Sequence, residues 1–164
     1  MKKQSFKRRT FIKTSTFAGA GLALGFTFVP LVNSATGGRV SVSGEKGVEL
    51  GLWIRIAPDG TITLIAPSSE MGQGVNTSLS MILAEELEAD WQSIKTETAP
   101  VNSDYKNPEH PMQITGGSTS TKGFWEPLRE VGAAAREMLI TAAAQKWGVS
   151  VGACKAQSGY IIHQ

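Results

Sequence analysis

The residues of this chain best suited to chemistry lie in two short turns. The first is Glu70-Met71-Gly72-Gln73-Gly74-Val75-Asn76-Thr77, in which two glycines bracket a glutamine. Glycine lets backbone approach a ligand closely, and a carboxamide can both donate and accept hydrogen bonds. The second is Thr115-Gly116-Gly117-Ser118-Thr119-Ser120-Thr121, where four hydroxyl side chains in a row follow two glycines. Each turn stands where a helix is expected to begin, so unpaired N–H groups and the helix dipole favour negative charge there. Together they suit an anionic ligand, with Gln73 expected to project into it. A plainer reading also holds for either turn alone, since glycines make turns and Ser and Thr cap helices. Neither turn is a P-loop, because no Gly-Lys-Ser/Thr follows, and neither has the dinucleotide-binding glycine fingerprint.

Little else in the chain offers reactive chemistry. The single cysteine, Cys154, cannot form an intramolecular disulfide, and one thiol cannot build an iron–sulfur or zinc site from this chain alone. It reads as a half-buried packing residue, because no histidine or arranged basic neighbour activates it. His110 and His163 are isolated and read as surface residues.

The elements that position the two turns follow from hydrophobic period and turn chemistry. Leu52–Ile56 and Thr61–Ile65 alternate around Pro58-Asp59-Gly60 and predict a hairpin. A helix of about a dozen residues is expected from near Asn76 to before Asp90. A third strand is expected at Ile94–Thr98, followed by a polar loop from Ala99 to about Gln113, long enough to be functional or mobile. The longest helix carries Ala133, Ala134, Ala135, Met138, Leu139, Ala142, Ala143 and Ala144, small-residue faces suited to close packing, and ends at Gly148. Pro127 places the start of its regular part near Glu126, or a kink there. Cys154–Gln157 and Tyr160–His163 flank Ser158-Gly159 as a last hairpin. The fold class is therefore α+β: β-hairpin, helix, strand, loop, long helix, hairpin.

The N-terminus carries a different signal. Residues 1–13 hold six basic residues and no acidic one, and an uncharged stretch runs from Thr14 to about Ala35. Lys7-Arg8-Arg9-Thr10-Phe11-Ile12-Lys13 resembles a twin-arginine consensus, so residues 1–36 are expected to be an export signal read by the twin-arginine machinery. A basic cap on an ordinary anchor is the competing reading, the apolar run being just long enough to span a bilayer. The expected destination is the periplasm, with membrane anchoring if the signal is kept. Residues 37–48, rich in glycine and serine, read as a flexible linker, and residues 49–164 as the domain. Without the six signal cations, ten basic residues face fourteen acidic ones, a net charge of −4. No basic stripe is left for nucleic-acid binding.

Five segments in order resemble a known family: Trp53–Thr61, Ser69–Val75, Leu83–Leu87, Thr115–Ser120 and Trp125–Arg129. They look like the start of the molybdopterin-binding large subunit of the xanthine dehydrogenase and aldehyde oxidoreductase family, nearest the isoquinoline 1-oxidoreductase beta-subunit type. The resemblance implies a molybdenum hydroxylase acting on an N-heteroaromatic compound or an aldehyde, with water as the oxygen source. It implies a molybdopterin cofactor, in this subgroup the cytosine dinucleotide form, held by Gly72, Gln73, Gly74, Gly117, Ser118, Thr119 and Ser120. It also implies an iron–sulfur small subunit, the remainder of the large subunit, and a cytochrome or the quinone pool as electron acceptor. The family's catalytic base has no counterpart in these residues; Glu70 is expected to order its turn, with a pocket-facing carboxylate as the alternative. The chain is accordingly expected to be a truncated or split product, inactive alone. A competing reading is an exported module that holds an anion or docks a partner without chemistry. Trp91, Trp125 and Trp147 are expected to pack in the core or between domains, Trp125 against another part of the subunit.

Overall fold

The computed structural model describes residues 5–7, 40–43 and 47–163, with side chains from 50 to 163. The arginine pair and the apolar stretch of the expected signal lie outside the described residues. Strands β1 (Ser5–Lys7), β2 (Val40–Ser43), β3 (Gly47–Leu50), β4 (Ile54–Ile56) and β5 (Ile62–Ala66) precede helix α1 (Val75–Leu87). Strand β6 (Ile94–Thr98), helix α2 (Ser120–Trp147), and strands β7 (Cys154–Gln157) and β8 (Tyr160–His163) follow.

Five strands form one sheet in the order β2-β3-β4-β5-β6, and three form another in the order β1-β8-β7. The hairpin expected at Pro58-Asp59-Gly60 joins β4 to β5. Its turn is closed by the N–H of Gly60 on the carbonyl of Ala57 at 2.9 Å, while Asp59 accepts the N–H of Thr61 at 2.8 Å. Strands β5 and β6 pair in parallel, so the chain must cross over between them, and α1 is that crossover. A parallel β5–α1–β6 unit leaves the C-terminal end of β5 and the N-terminus of α1 at one edge, which is where the first glycine turn lies.

Alternation decides which face of the sheet is buried. Ile54, Ile56, Ile62, Leu64 and Ala66 are each almost fully buried, and α1 lays Val75, Leu79, Leu83 and Leu87, spaced by four, into the same core. Each such aliphatic side chain contributes roughly 1.5–3 kcal/mol on burial. Ser80 anchors α1 to the edge strand through a 2.7 Å hydroxyl contact with Thr96.

Helix α2 crosses α1 at Gly132. A Cβ built there would stand 2.9 Å from the Cβ of Glu86 and 3.0 Å from the carbonyl oxygen of Leu83, so the close approach requires glycine. Around it, Arg129 donates to Glu86 at 2.7 Å and Arg136 donates to the Glu86 carbonyl at 2.8 Å. The small-residue face expected to pack closely is the one that does so, with Ala135, Ala143 and Ala144 buried.

One expectation needs correction. Helix α2 begins at Ser120, six residues before Glu126, and runs through Pro127. Proline forfeits the bond to the Gly123 carbonyl at a cost of about 3 kcal/mol, whereas Phe124 and Leu128, one turn apart and 2 % and 0 % exposed, together recover roughly 3–6 kcal/mol of burial. Within the span 37–48, expected as a linker, lie β2 and the start of β3. The strands exist because the sheet offers β3 a partner in β4, with Val48 opposite Ile56 and Leu50 opposite Ile54. The long polar loop is anchored along its length. Tyr105 packs edge-on against Trp53 at 5.2 Å and donates to the Leu52 carbonyl at 2.9 Å, and Asn107 is fully buried.

Of the other residues singled out in the sequence, Cys154 is buried, and that burial pushes its thiol pKa up. It is a poor nucleophile in this setting. The His163 ring lies 6.0 Å from that of Trp147. Trp91 and Trp125 are about half exposed, and the guanidinium of Arg129 stands 5.7 Å from the Trp125 ring.

Candidate functional site

The two glycine-rich turns, 40-odd residues apart in the chain, meet at the N-termini of α1 and α2. Three contacts hold them there. The N–H of Ser69 donates to the Thr115 hydroxyl at 2.8 Å, the hydroxyls of Ser78 and Thr121 stand 3.2 Å apart, and Gln113 donates to the Pro67 carbonyl at 3.3 Å. Between the turns is an open cleft of about 300 Å³. One wall comes from the first turn and α1, with Met71, Gln73, Val75 and Ser78. The other comes from the second turn and α2, with Thr115, Gly116, Ser118, Ser120 and Thr121. Among the described residues no charged side chain lines it.

The first turn is satisfied by its own residues. One oxygen of the Glu70 carboxylate accepts the N–H groups of Gly72 at 2.8 Å and Gly74 at 3.0 Å, and the other accepts that of Asn76 at 3.0 Å. Gly72 and Gly74 take φ of 90° and 80°, a conformation that only glycine adopts cheaply, and alternate N–H groups of the turn point at the one carboxylate. The pKa of Glu70 is held below the usual carboxylate range, first by the Asn76 N–H and then by that of Gly74, with lesser help from Gly72 and Met71, while desolvation opposes them by less than either of the first two. Glu70 therefore orders its turn, as expected, and its carboxylate takes the amides that the sequence suggested for a ligand.

Gln73 differs from the expectation that it projects freely. Its Oε1 accepts the N–H of Met71 at 2.5 Å and its Nε2 donates to the carbonyl of Ser69 at 2.9 Å. A carboxamide has two donors and two acceptor positions. One of each is spent on the turn, leaving one of each on a side chain that lines the cleft.

The second turn is held from behind and open in front. Gly117 and Ser118 both take left-handed φ, 62° and 56°. The Thr119 hydroxyl donates to the Gly116 carbonyl at 2.9 Å and accepts from Asn107 Nδ2 at 3.0 Å, while Asn107 Oδ1 accepts the N–H of Glu109 at 2.9 Å. Thr119 and Gly117 thus brace the turn without lining the cleft. The hydroxyls of Ser118 and Ser120 line it and have no partner among the described residues. The N–H groups of Ser120, Thr121 and Lys122 lack an acceptor within the helix, because the first intrahelical bond runs from Gly123 to Thr119 at 2.7 Å. Lys122 turns its charge to Glu109 at 2.8 Å.

Of the seven residues the sequence suggested, Gln73, Ser118 and Ser120 line the cleft side by side with residues it did not suggest. Ser78 was missed because a lone hydroxyl carries no signal in a sequence, while Thr115 stands in the second turn but was not among the seven. Asn107 was missed too, although Asn107-Pro108 has the composition of an asparagine-initiated turn. Among the described residues no cluster of His, Cys, Asp and Glu could hold a metal ion, and none of their helices is long and apolar enough to cross a membrane.

The family model described as molybdopterin cofactor-binding domain matches residues 2–164. The chain belongs to this family. The molybdopterin-binding domain is similar in sequence to the beta chain of the isoquinoline 1-oxidoreductase of Brevundimonas diminuta, 35% identical over 76% of this chain and 16% of that protein. It is 34% identical to a membrane-bound aldehyde dehydrogenase (pyrroloquinoline-quinone) of Gluconacetobacter polyoxogenes, over 96% of this chain and 19% of that one. One of the subunits of the nicotinate dehydrogenase of Pseudomonas putida is 30% identical over 71% of this chain and 9% of its own length. The domain thus spans less than a fifth of each relative. The family resemblance carried by the five motifs is borne out.

The residues present suit the family's cofactor. An anionic group needs converging donors, and the start of α2 offers N–H groups and two hydroxyls that have no partner among the described residues. The quinone in the name of the Gluconacetobacter protein disagrees with the molybdopterin of the family. The family model is the better guide, because it matches nearly every residue of this chain, whereas the name describes a protein of which the chain spans 19%.

Proposed function

We propose that this domain forms part of the cofactor site of a molybdenum hydroxylase subunit. The observation that carries the reading is the meeting, across one cleft, of a helix N-terminus with free donors and a glutamine with one donor and one acceptor to spare. Ser118, Ser120 and the first-turn N–H groups of α2 hold an anionic group of a molybdopterin, in its cytosine dinucleotide form. Gln73 faces the same ligand with an uncharged amide. A cleft of about 300 Å³ is at the low end for a ligand site, which suits one portion of a large cofactor. When bound, the cofactor supplies oxidation of a substrate C–H with oxygen taken from water. Everything else assigned to this chain is binding and orientation: Asn107 and Thr119 brace the second turn, and Glu70 braces the first.

The substrate class is an N-heteroaromatic compound or an aldehyde, supported by the names of the relatives. The electrons released need carriers, and with Cys154 the only thiol in the chain, an iron–sulfur small subunit is the expected partner, with a cytochrome or the quinone pool beyond it. The remainder of a large subunit supplies the catalytic base and covers Trp125. The Lys7–Lys13 segment supports export by the twin-arginine route to the periplasm.

The test is to isolate the protein with its neighbours from its own host. Acid release of a cytosine nucleotide with a pterin, and transfer of heavy oxygen from labelled water into product, are the expected results. Release of pyrroloquinoline quinone instead, or product oxygen derived from dioxygen, would overturn the reading. A signal-dependent export assay with Arg8 and Arg9 both changed to lysine tests localisation, the expected outcome being loss of export.

A further inference from the structure

We propose that the loop Asn107–Met112 is a strap that holds Ser118 on the cleft wall, with Asn107 as a positioning residue acting through Thr119 and Gly123 as the strap's seat. The cofactor reading enters only through what the cleft holds. The coupling itself stands on the geometry of the loop and the turn.

The turn needs holding. The N–H of Thr119 bonds the Gly116 carbonyl at 3.3 Å, and the two residues between them, Gly117 and Ser118, have φ of 62° and 56°. Two successive positive φ values are what a type I′ turn demands. Glycine takes the first freely, but serine carries a Cβ and is strained in the left-handed region. Among the described residues the non-glycines with positive φ are Glu88, Ser118 and Ser158, and of these Ser118 alone lines the cleft.

The strap supplies what opposes that strain. Asn107 is fully buried, and its Oδ1 accepts the N–H of Glu109 at 2.9 Å, so Nδ2 is the end turned to Thr119, to whose hydroxyl it donates at 3.0 Å. A hydroxyl has one proton to give. With a donor already on its oxygen, Thr119 directs that proton to the Gly116 carbonyl at 2.9 Å, a second bond on the oxygen that closes the turn. The strap is itself closed by the Asn107 N–H on the Met112 carbonyl at 3.0 Å and by the Lys122–Glu109 ion pair at 2.8 Å. It lies against α2 at Gly123, where a Cβ would stand 2.9 Å from Asn107 Oδ1 and 3.3 Å from Glu109 Cγ. Loop and cleft wall therefore move together: a seated strap keeps Ser118 in its strained conformation beside the cleft, and a lifted one lets the turn relax.

Amide hydrogen exchange at Thr119 in the full chain reads the turn directly. Asn107→Asp keeps the size of the side chain and the acceptor for Glu109 but loses the donor to Thr119. Gly123→Ala favours the helix yet pushes Asn107 from its seat. Each is expected to speed exchange at Thr119 roughly tenfold, the ratio given by loss of one such hydrogen bond. Adding Ser118→Gly, which takes positive φ without strain, is expected to return the rate most of the way to that of the wild type in both backgrounds. Unchanged exchange in both single variants, with the α1 amides still protected, would overturn the proposal, as would failure of Ser118→Gly to restore the rate. The expected exchange pattern in a protein whose wild-type form, isolated with its partners from its own host, holds no molybdenum would uphold the strap and count against the cofactor reading.

Discussion

The hydroxyls of Ser78 and Thr121 stand 3.2 Å apart, and this contact ties the first turn of α1 to the first turn of α2. The two residues are far apart in sequence, and neither glycine turn contains both partners of the contact. Ser78 also donates to the Val75 carbonyl at 3.1 Å, so the pair belongs to a short chain of bonds at the floor of the cleft. The relative placement of the two helix N-termini is thus set by packing at Gly132 below and by hydroxyls above.

Ser120→Asp places a carboxylate at the start of α2, the arrangement that Glu70 already creates at α1. The helix dipole should then stabilise the fold by about 0.3–1 kcal/mol, while phosphate binding at Ser118–Thr121 falls because the donors are taken and a negative charge faces the cleft. Urea denaturation and a phosphate titration measure the two effects, which should move in opposite directions.

Asn107→Ala removes a fully buried side chain that joins the long loop to Thr119. Losing it leaves the N–H of Glu109 without its acceptor, and the expected cost is about 1–3 kcal/mol. Denaturation midpoints give the stability, and faster hydrogen exchange at residues 116–119 shows whether the second turn loosens with it.

Gly132→Ala sets two known effects against each other. Alanine favours a helix interior over glycine by about 1 kcal/mol, yet its Cβ would stand 3.0 Å from the Leu83 carbonyl oxygen, which is backbone and cannot swing away. Overpacking of this kind costs about 1–3 kcal/mol, so a net loss of stability of roughly 1 kcal/mol is expected, and thermal unfolding will show its sign.

The pKa of Glu70 is lowered in the folded protein from an ordinary value of 4.5, chiefly by the Asn76 and Gly74 N–H groups. The unfolded chain therefore binds the proton first as pH falls, and the stability from this carboxylate is fully present above pH 4.5 and lost as pH drops through the lower folded value. The stability difference between wild type and Glu70→Gln should be constant at neutral pH and shrink in acid. A difference that grows on acidification would contradict the assignment.

Much of this geometry could be read from the sequence where one physical signal dominated. Strand β6 falls at Ile94–Thr98 as expected, because alternation there is bounded by polar turns. Helix α1 was legible from Leu79, Leu83 and Leu87, apolar residues on one face. The start of α2 was not, since a proline rule weighed locally cannot know that Phe124 and Leu128 will be buried on either side of it. Strands β2 and β3 were hidden for a related reason, as glycine-rich sequence becomes strand when a neighbour offers a ladder.

The site divides in the same way. That both turns carry converging N–H groups was visible in their glycines. Which turn keeps them free was not, because Glu70 and a ligand phosphate satisfy the same donors, and only geometry shows that the carboxylate reaches Gly72, Gly74 and Asn76. Gln73 illustrates the point further, since folding back onto Met71 and Ser69 uses the same hydrogen-bonding capacity that suggested a ligand.

The most direct measurement is the molybdenum and pterin content of the protein purified with its partners from its native host, for wild type and for Ser118→Ala/Ser120→Ala. Stoichiometric molybdenum and pterin are expected in the wild type and a clear fall of both in the double variant, with its thermal stability nearly unchanged. A wild-type complex without molybdenum, or a folded double variant with undiminished cofactor, would contradict it.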